Sequence, residues 1–455
     1  MGLLSKIHLL SFLCCLCLNV VLAKDTIRSS QSIKDPNYII SNGSTFRLGF
    51  FSPENSTNRY VGIWYNKTSA SHAQWVWVAN RDKPLKDSSG VLTISEGGNL
   101  VVLDGQRKVL WSSNITNSSA NVSARLLDSG NLVLRENTSE SIIWESFQHP
   151  SDALLPTTKI SSNIQFTSWK SHSNPSIASF SGGIQSRSPV QAFIWKDGSP
   201  HWRSGPWNSR AFNGIPEMYS VFQSGFGLEV GQDRAVLLSY SYMNWSLSYL
   251  ALSTQGDLEQ RYWDDDNEDW EVWWKALQTK CHFYGKRGAF GRCDSRNSPI
   301  CSCLQGFEPK NTTEWNRGNW TSGCVRRTPL QCGRVNSTGN EGDKMDGFLK
   351  QKILKLPDFT DWSDAVEDDC RQQCTKNCSC IAYAYDAGIG CLSWTGSFID
   401  TQQLSSNGVD LYIRVAYIQN LVSYLVFCPN LTLLQIMHYS FFFLIIKKKG
   451  IRGGG

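Results

Sequence analysis

Eleven cysteines between Cys281 and Cys391 are the residues whose type and spacing most clearly suggest chemistry. The segment from Cys370 to Cys380 has four of them, separated by three, three and one residues. Thiol groups at such spacings can bind a metal ion or form disulfide bonds. No nearby histidine completes a set of metal ligands, so the cellular compartment decides between these two possibilities.

The N-terminus identifies the compartment. Residues 1–23 combine one early cation, an apolar run and a small-residue cleavage site at Ala23, which is typical of a secretory signal peptide. Secretion makes disulfides the expected state of the clustered cysteines. Twelve N-x-S/T motifs predict a heavily glycosylated surface. Their asparagines are Asn42, Asn55, Asn66, Asn114, Asn117, Asn121, Asn137, Asn244, Asn311, Asn319, Asn336 and Asn377.

Other patterns that could perform chemistry are incomplete. The acidic run at 264–269 has no glycine or glutamate at the positions that a calcium loop requires, so a solvated loop is expected. No esterase elbow, dinucleotide loop or kinase motif occurs. We therefore expect no catalytic residue, no cofactor and no metal. Residues 24–417 contain 39 basic and 39 acidic residues, so no nucleic-acid partner is expected.

Any binding residues in the first part of the chain must be positioned by β-strands. Residues 24–150 consist of aromatic and β-branched runs separated by Gly, Asn, Ser and Pro, which predicts an all-β domain. Residues 92–114 are repeated at 124–147, and the two copies share the sequence Gly-Asn-Leu-Val. Repeated strand units of this size bury their faces by stacking on one another.

The repeat, together with "YVGIWYNK" and "WVANRDKPL", resembles a bulb-type, mannose-binding lectin domain. "WESFQHPSDALLP" and "WRSGPWNSRAFNGIPEM" resemble plant S-locus glycoproteins and the ectodomains of S-domain (G-type lectin) receptor kinases. The resemblance implies a mainly β, multidomain fold. Its parts are a signal peptide (1–23), a bulb-type lectin β-prism (24–155), a second lectin-like S-locus glycoprotein domain (156–280), an EGF-like module (281–324) and a PAN/apple domain (332–417).

The sugar-binding motif of that family, Q-x-D-x-N-x-V-x-Y, is degenerate in both copies of the repeat. Only Asn99 and Val101 remain in the first copy, and only Asn131 and Val133 in the second. Each lost polar contact to a sugar costs about 1.5–3 kcal/mol on the scale of charge-assisted hydrogen bonds. We expect both asparagines to be turn residues rather than strong mannose ligands.

The resemblance also implies disulfide pairs. These are Cys370–Cys391 and Cys374–Cys380 in the PAN domain, and Cys281–Cys293 and Cys303–Cys324 in the EGF-like module. Cys332 and Cys378 remain as a candidate pair. Arg287 stands where the family has the cysteine that would pair with Cys301. Cys301 is then the predicted unpaired cysteine, free to mispair or to bond Cys428 or another chain, and the module is expected to be weakened.

The last part of the sequence, residues 418–455, departs from the family. Tyr417 to Ile446 contains no charged side chain and precedes three lysines, which fits a membrane span, whereas Pro429, Asn430, Gln435 and His438 do not. The family continues into a kinase, so the chain reads as an ectodomain truncated before it. Single-pass attachment to the plasma membrane and secretion to the apoplast both remain open.

The expected function is non-catalytic recognition at the plant cell surface. The resemblance implies a secreted peptide or protein ligand, pairing with itself or with S-domain receptor kinases, and roles in pollen recognition or defence. Two alternatives stand beside it: a carbohydrate-binding lectin, and a truncated product without function.

Overall fold

The structure, a computed structural model, describes residues 25–67, 74–116, 121–185, 188–215, 225–230, 236–241, 247–332 and 346–416. These residues form mostly β-strands, with two short α-helices. The chain divides into unit 1, residues 1–284, and unit 2, residues 285–455. The prediction of a mainly β, multidomain fold is confirmed.

The first part of unit 1 has three four-stranded antiparallel sheets, in the orders β3-β4-β5-β6, β2-β7-β8-β9 and β1-β10-β11-β12. Their strands are β1 (Thr26–Arg28), β2 (Ser32–Lys34), β3 (Tyr38–Ile40), β4 (Phe46–Phe51), β5 (Tyr60–Tyr65), β6 (Trp75–Val78), β7 (Val91–Ile94), β8 (Leu100–Leu103), β9 (Val109–Ser112), β10 (Val122–Leu126), β11 (Leu132–Glu136) and β12 (Ile142–Glu145).

The three sheets enclose one apolar core. In β10, Val122, Ala124 and Leu126 are buried and the residues between them are not, as expected for a strand with one face on the core. Trp77, Trp111 and Trp144, from the last strand of each sheet, meet edge to face with ring centroids 5.6–6.0 Å apart. This geometry is favoured between aromatic rings and joins the sheets at the centre.

The second part of unit 1 has three more antiparallel sheets, in the orders β13-β21-β22-β23, β14-β20-β19 and β15-β16-β17-β18. Their strands are β13 (Ala153–Leu154), β14 (Lys159–Ser161), β15 (Phe166–Ser171), β16 (Asn174–Gln185), β17 (Gln191–Lys196), β18 (Ser199–Arg203), β19 (Gly225–Val230), β20 (Val236–Ser241), β21 (Ser248–Leu252), β22 (Leu258–Asp264) and β23 (Asp269–Lys275). Trp202 and Trp274 again meet edge to face in the core, at 6.4 Å.

Unit 2 is built on an eight-stranded sheet in the order β25-β24-β32-β28-β33-β30-β31-β29 and a hairpin of β26 and β27. The strands are β24 (Gly291–Cys293), β25 (Cys301–Cys303), β26 (Phe307–Pro309), β27 (Cys324–Arg326), β28 (Gly347–Lys355), β29 (Asp361–Ser363), β30 (Cys380–Asp386), β31 (Gly390–Thr395), β32 (Thr401–Gln403) and β33 (Val409–Val415). The helices are α1 (Thr312–Asn316) and α2 (Glu367–Lys376).

Helix α2 lies against this sheet through two cysteines. Its first turn carries three acidic residues and its last turn carries Lys376, which complements the helix dipole. Cys370 and Cys374 are its buried residues and form disulfides to β31 and β30. A ten-residue helix is marginal alone, so these bonds fix it on the sheet.

Candidate functional site

Asn99, a predicted sugar-binding position, lies in the turn before β8. Its Oδ1 accepts hydrogen bonds from Ser113 Oγ at 3.0 Å and from the Ile115 N–H at 2.6 Å. Its Nδ2 donates to the Ile115 carbonyl at 3.2 Å. The Asn99 amide thus connects the start of β8 with the segment that follows β9.

Asn131 makes the same kind of connection in the second copy of the repeat. Its Oδ1 accepts from Ser146 Oγ at 3.1 Å and from the Phe147 N–H at 3.2 Å, while its Nδ2 donates to Glu145 at 2.6 Å. Val101 and Val133 are buried. These contacts agree with the interpretation of both asparagines as turn residues, since the amides already have partners within the fold.

A third copy of this turn, which sequence analysis missed, occurs before β22. The Ser253 N–H donates to the Asp257 carbonyl at 2.8 Å, and the Gly256 N–H donates to the Ser253 carbonyl at 3.0 Å. Asp257 Oδ1 accepts from the Leu277 N–H at 2.9 Å. The Asn99 turn has the same three hydrogen bonds.

Strand register confirms that the three copies are equivalent. In each, the residue three positions after the turn residue lies opposite a tryptophan, and the register then shifts. The pairs are Val102 with Trp111, Leu134 with Trp144 and Gln260 with Trp274. Sequence Gly256-Asp257-Leu258 was the available signal, but aspartate replaces asparagine there and the following hairpin is longer.

The third copy differs from the others because it borders a cleft with a volume of about 180 Å³. The positions that hold Val101 and Leu103 in the first copy hold Glu259 and Arg261 in the third. Both line the cleft, as do Ser253 and Thr254 of the turn. Two aromatic side chains, Trp75 and Trp169, also line the cleft. The cleft thus combines charged, hydroxyl and aromatic groups, as binding sites commonly do.

Two carboxylates of the cleft are buried in different electrostatic surroundings. Asp152 accepts hydrogen bonds from Trp169 Nε1 at 2.8 Å and Ser151 Oγ at 3.1 Å, and burial raises its pKa despite the nearby Arg81. Burial also acts to raise the pKa of Glu259. The hydrogen bonds and charges of Arg261 and Lys275 outweigh that effect, so the Glu259 pKa lies below its ordinary value.

The cysteines of the described residues are disulfide-bonded, with the exception of Cys301. The structure has the disulfides Cys303–Cys324, Cys370–Cys391 and Cys374–Cys380 that the resemblance implies, and Cys332–Cys378 joins the two that remained. Cys281 and Cys293 are each disulfide-bonded. Cys301 is a free, buried thiol 3.9 Å from Cys293 Sγ. Burial raises the pKa of the Cys301 thiol to about 11, against the opposing effect of Arg287.

Arg287, the residue in place of the missing cysteine, is buried in a group of three charges. Its guanidinium lies 3.5 Å from Asp400 Oδ1, and Lys355 Nζ lies 3.0 Å from Asp400 Oδ2. All three side chains are at most 2% exposed. Arg287 thus forms an ion pair with the residue before β32, at the position where the family resemblance predicts a cysteine.

Nine of the expected glycosylation asparagines fall within the described residues. Asn66 is half-buried and hydrogen-bonds Arg47, and the other eight are exposed. Asn117, Asn244 and Asn336 lie outside the described residues, as do the predicted signal peptide and residues 418–455 with Cys428. Among the described residues, no group of three or more His, Cys, Asp or Glu could hold a metal ion. No helix in the described ranges is long and apolar enough to cross a membrane.

Comparison with known families gives three matches along the chain. Residues 74–174 match the D-mannose binding lectin family, residues 202–311 match the S-locus glycoprotein domain, and residues 332–401 match the PAN-like domain. Among solved structures, a monomeric mannose-binding lectin from Gastrodia elata is 20% identical with a TM-score of 0.22, and covers 27% of this chain and 96% of its own. The mannose-specific snowdrop agglutinin is 16% identical with a TM-score of 0.20, and covers 24% and 88%.

Full-length relatives are more similar. A G-type lectin S-receptor-like serine/threonine-protein kinase of Arabidopsis thaliana is 45% identical over 89% of this chain and 50% of its own. The Arabidopsis kinase SD1-13 of the same description is 44% identical over 90% of this chain and 50% of its own. The chain thus spans about half the length of these relatives. The chain has lectin, S-locus glycoprotein and PAN-like domains, and over most of its own length it is similar to the G-type lectin S-receptor-like kinases.

Proposed function

We propose that this chain is a non-catalytic recognition glycoprotein of the plant cell surface that binds a secreted peptide or protein. The similarity to the G-type lectin S-receptor-like kinases supports a receptor-like recognition role. The observation that carries the choice of a protein ligand over mannose is the hydrogen bonding of Asn99 and Asn131. Both side-chain amides have partners within the fold, and a sugar would have to displace these.

The domains predicted from the sequence are consistent with a recognition role. The lectin and S-locus glycoprotein domains of unit 1 contain the cleft and supply the ligand-binding surface. The EGF-like and PAN modules of unit 2 support pairing with a second copy or with an S-domain receptor kinase. The chain acts in the secretory pathway, either secreted to the apoplast or attached to the plasma membrane by residues 417–446.

Capture from plant secretions tests the proposal. The full chain, secreted from plant cells and immobilised, is exposed to apoplastic fluid that is untreated, treated with protease, or supplemented with free mannose. We expect a retained component that protease destroys and mannose does not displace, identified by mass spectrometry. Retention that survives protease and is displaced by mannose would overturn the proposal in favour of a lectin. Phosphoryl transfer by the purified chain would overturn its non-catalytic part.

A further inference from the structure

The cleft of unit 1 is lined by two buried carboxylates, and the cations that contact one of them, Glu259, are more exposed. Asp152 and Glu259 are 7% and 8% exposed. The two cations that contact Glu259 are more open, because the side chain of Arg261 is 35% exposed and that of Lys275 is 48% exposed. Both cations reach solvent, so a cationic group of a ligand can take their place beside Glu259.

Asp152 retains capacity to accept hydrogen bonds from a cation. An ionised carboxylate has about four acceptor sites, and two of them receive Trp169 Nε1 and Ser151 Oγ. The guanidinium of Arg81 donates instead to Thr167 Oγ1 and to the carbonyls of Thr167, Ser168 and Pro175. A buried carboxylate in these surroundings is stabilised by any cation that binds it directly.

Tyr249 contributes a third acceptor. It is 1% exposed and lines the cleft, and its Oη lies near the Arg261 guanidinium without a well-formed hydrogen bond to it. Burial raises its pKa well above the ordinary value, so the phenol stays neutral. A buried hydroxyl without a well-formed hydrogen bond costs about 1–3 kcal/mol, which a ligand that donates to it would recover.

The aromatic side chains of the cleft favour the same kind of ligand. Trp75 and Trp169 line the cleft beside Asp152, and indole rings attract cations electrostatically. An anion would meet two buried carboxylates. A hexose would meet the Glu259 carboxylate at the position where the family's sugar motif has a valine for the sugar's apolar face.

We propose that this cleft binds a basic side chain, lysine or arginine, of the protein ligand. The inference rests on the proposed function and specifies the ligand group that unit 1 selects. An ammonium group has three donors, which matches the acceptors Asp152, Glu259 and Tyr249 Oη in number. The volume of the cleft corresponds to roughly six waters, which is room for one long side chain.

Calorimetric titration of the full, secreted chain tests the cleft without the natural ligand. The probes are Nα-acetyl-lysine N-methylamide, its arginine counterpart, and Nα-acetyl-norleucine N-methylamide, which has a similar length and no charge. We expect saturable binding of one or both basic probes, at least about tenfold tighter than the norleucine probe. Equal affinity for the three probes, or no saturable binding of either basic probe, would overturn the inference.

Variants locate the binding. Tyr249→Phe removes only the Tyr249 hydroxyl and is expected to weaken binding about three- to tenfold while leaving the fold intact. Asp152→Asn is expected to weaken it more than about tenfold. Glu271→Gln, which removes an exposed carboxylate of β23, is the matched control and should change nothing. Binding that Tyr249→Phe and Asp152→Asn leave unchanged would contradict the assignment to this cleft.

The two proposals fail separately. Loss of probe binding with retention of a protease-sensitive partner would refute the cleft assignment and leave the proposed function standing. Probe binding without any captured protein would refute the protein ligand while the cleft remained a cation site.

Discussion

The buried charges around Asp400 give the most quantitative prediction. Asp400 lies between Arg287 and Lys355 at 3.5 and 3.0 Å, and all three side chains are nearly inaccessible. At an effective dielectric of 20, each attraction amounts to about 5 kcal/mol before desolvation and before the repulsion between the two cations. Removing one partner of a buried pair typically costs about 3–5 kcal/mol. We therefore expect Asp400→Asn to destabilise unit 2 by about 3–5 kcal/mol.

Lys355→Met is the matched variant. It removes one of two like charges and leaves Arg287 and Asp400 as a pair of opposite charge, so it is expected to destabilise unit 2 less than Asp400→Asn does. Asp400→Asn and Lys355→Met, two changes within the same charge cluster, are thus expected to differ severalfold in their effect on the free energy of unfolding.

Hydrogen exchange in the native state measures this effect within unit 2. The amides of β28 and β33, which pair at the centre of the eight-stranded sheet, report its opening. We expect Asp400→Asn to accelerate their exchange about 10²- to 10⁴-fold and Lys355→Met to accelerate it by a smaller factor. Equal acceleration by both variants, or less than about tenfold for Asp400→Asn, would refute the electrostatic reasoning.

Four further predictions concern local features. Burial raises the pKa of the Cys301 thiol from 9.0 to about 11. At pH 8, iodoacetamide should therefore alkylate Cys301 about a hundredfold more slowly in the native than in the unfolded chain, and the native rate should rise with pH up to about 11. Equal rates for the native and unfolded chains at pH 8 would contradict this. Arg287→Cys should form a disulfide with Cys301, seen by peptide mapping, because the family resemblance predicts the partner of Cys301 at position 287. A persistent Cys301 thiol would argue against it. Gly256→Ala should lower the urea midpoint more than Gly198→Ala, because both have positive φ but only a Cβ at Gly256 would lie 2.3 Å from Phe180; equal midpoints would rule out that contact. Asn131→Ala should cost about 1–3 kcal/mol in urea unfolding, because it leaves buried donors without an acceptor, and an unchanged midpoint would show that the turn does not need the amide.

Sequence patterns predicted the strands well where one face of a sheet is buried. In β10 the alternation of apolar and polar side chains is present in the sequence itself. The family resemblance supplied three disulfide pairs that the structure contains, because cysteine spacing is retained when other residues change.

The third turn was missed because it has the same hydrogen bonds as the first two turns but different residue types and spacing. Asp257 accepts the same backbone hydrogen bond as Asn99, yet the tryptophan opposite its strand is Trp274, further along than Trp111 is from Asn99. Only strand register reveals the equivalence. The cleft was missed for the same reason.

The partner of Arg287 could not be predicted either. Asp400 lies more than a hundred residues away, and nothing in the local sequence distinguishes a buried aspartate from a solvated one. Sequence reasoning treated Arg287 as a loss, whereas the structure shows a charge cluster at this position. The two descriptions differ because burial is a property of the packed sheet and not of the segment around residue 287.

Hydrogen exchange of the full chain with its captured protein partner would test the central claim of recognition through the unit 1 cleft most directly. The account predicts slower exchange in peptides covering residues 166–171 and 249–261, with residues 95–103 and 127–135 unchanged. Protection confined to residues 95–103 and 127–135, with none around the cleft, would contradict it and return the sugar positions of the lectin repeat to the centre of recognition.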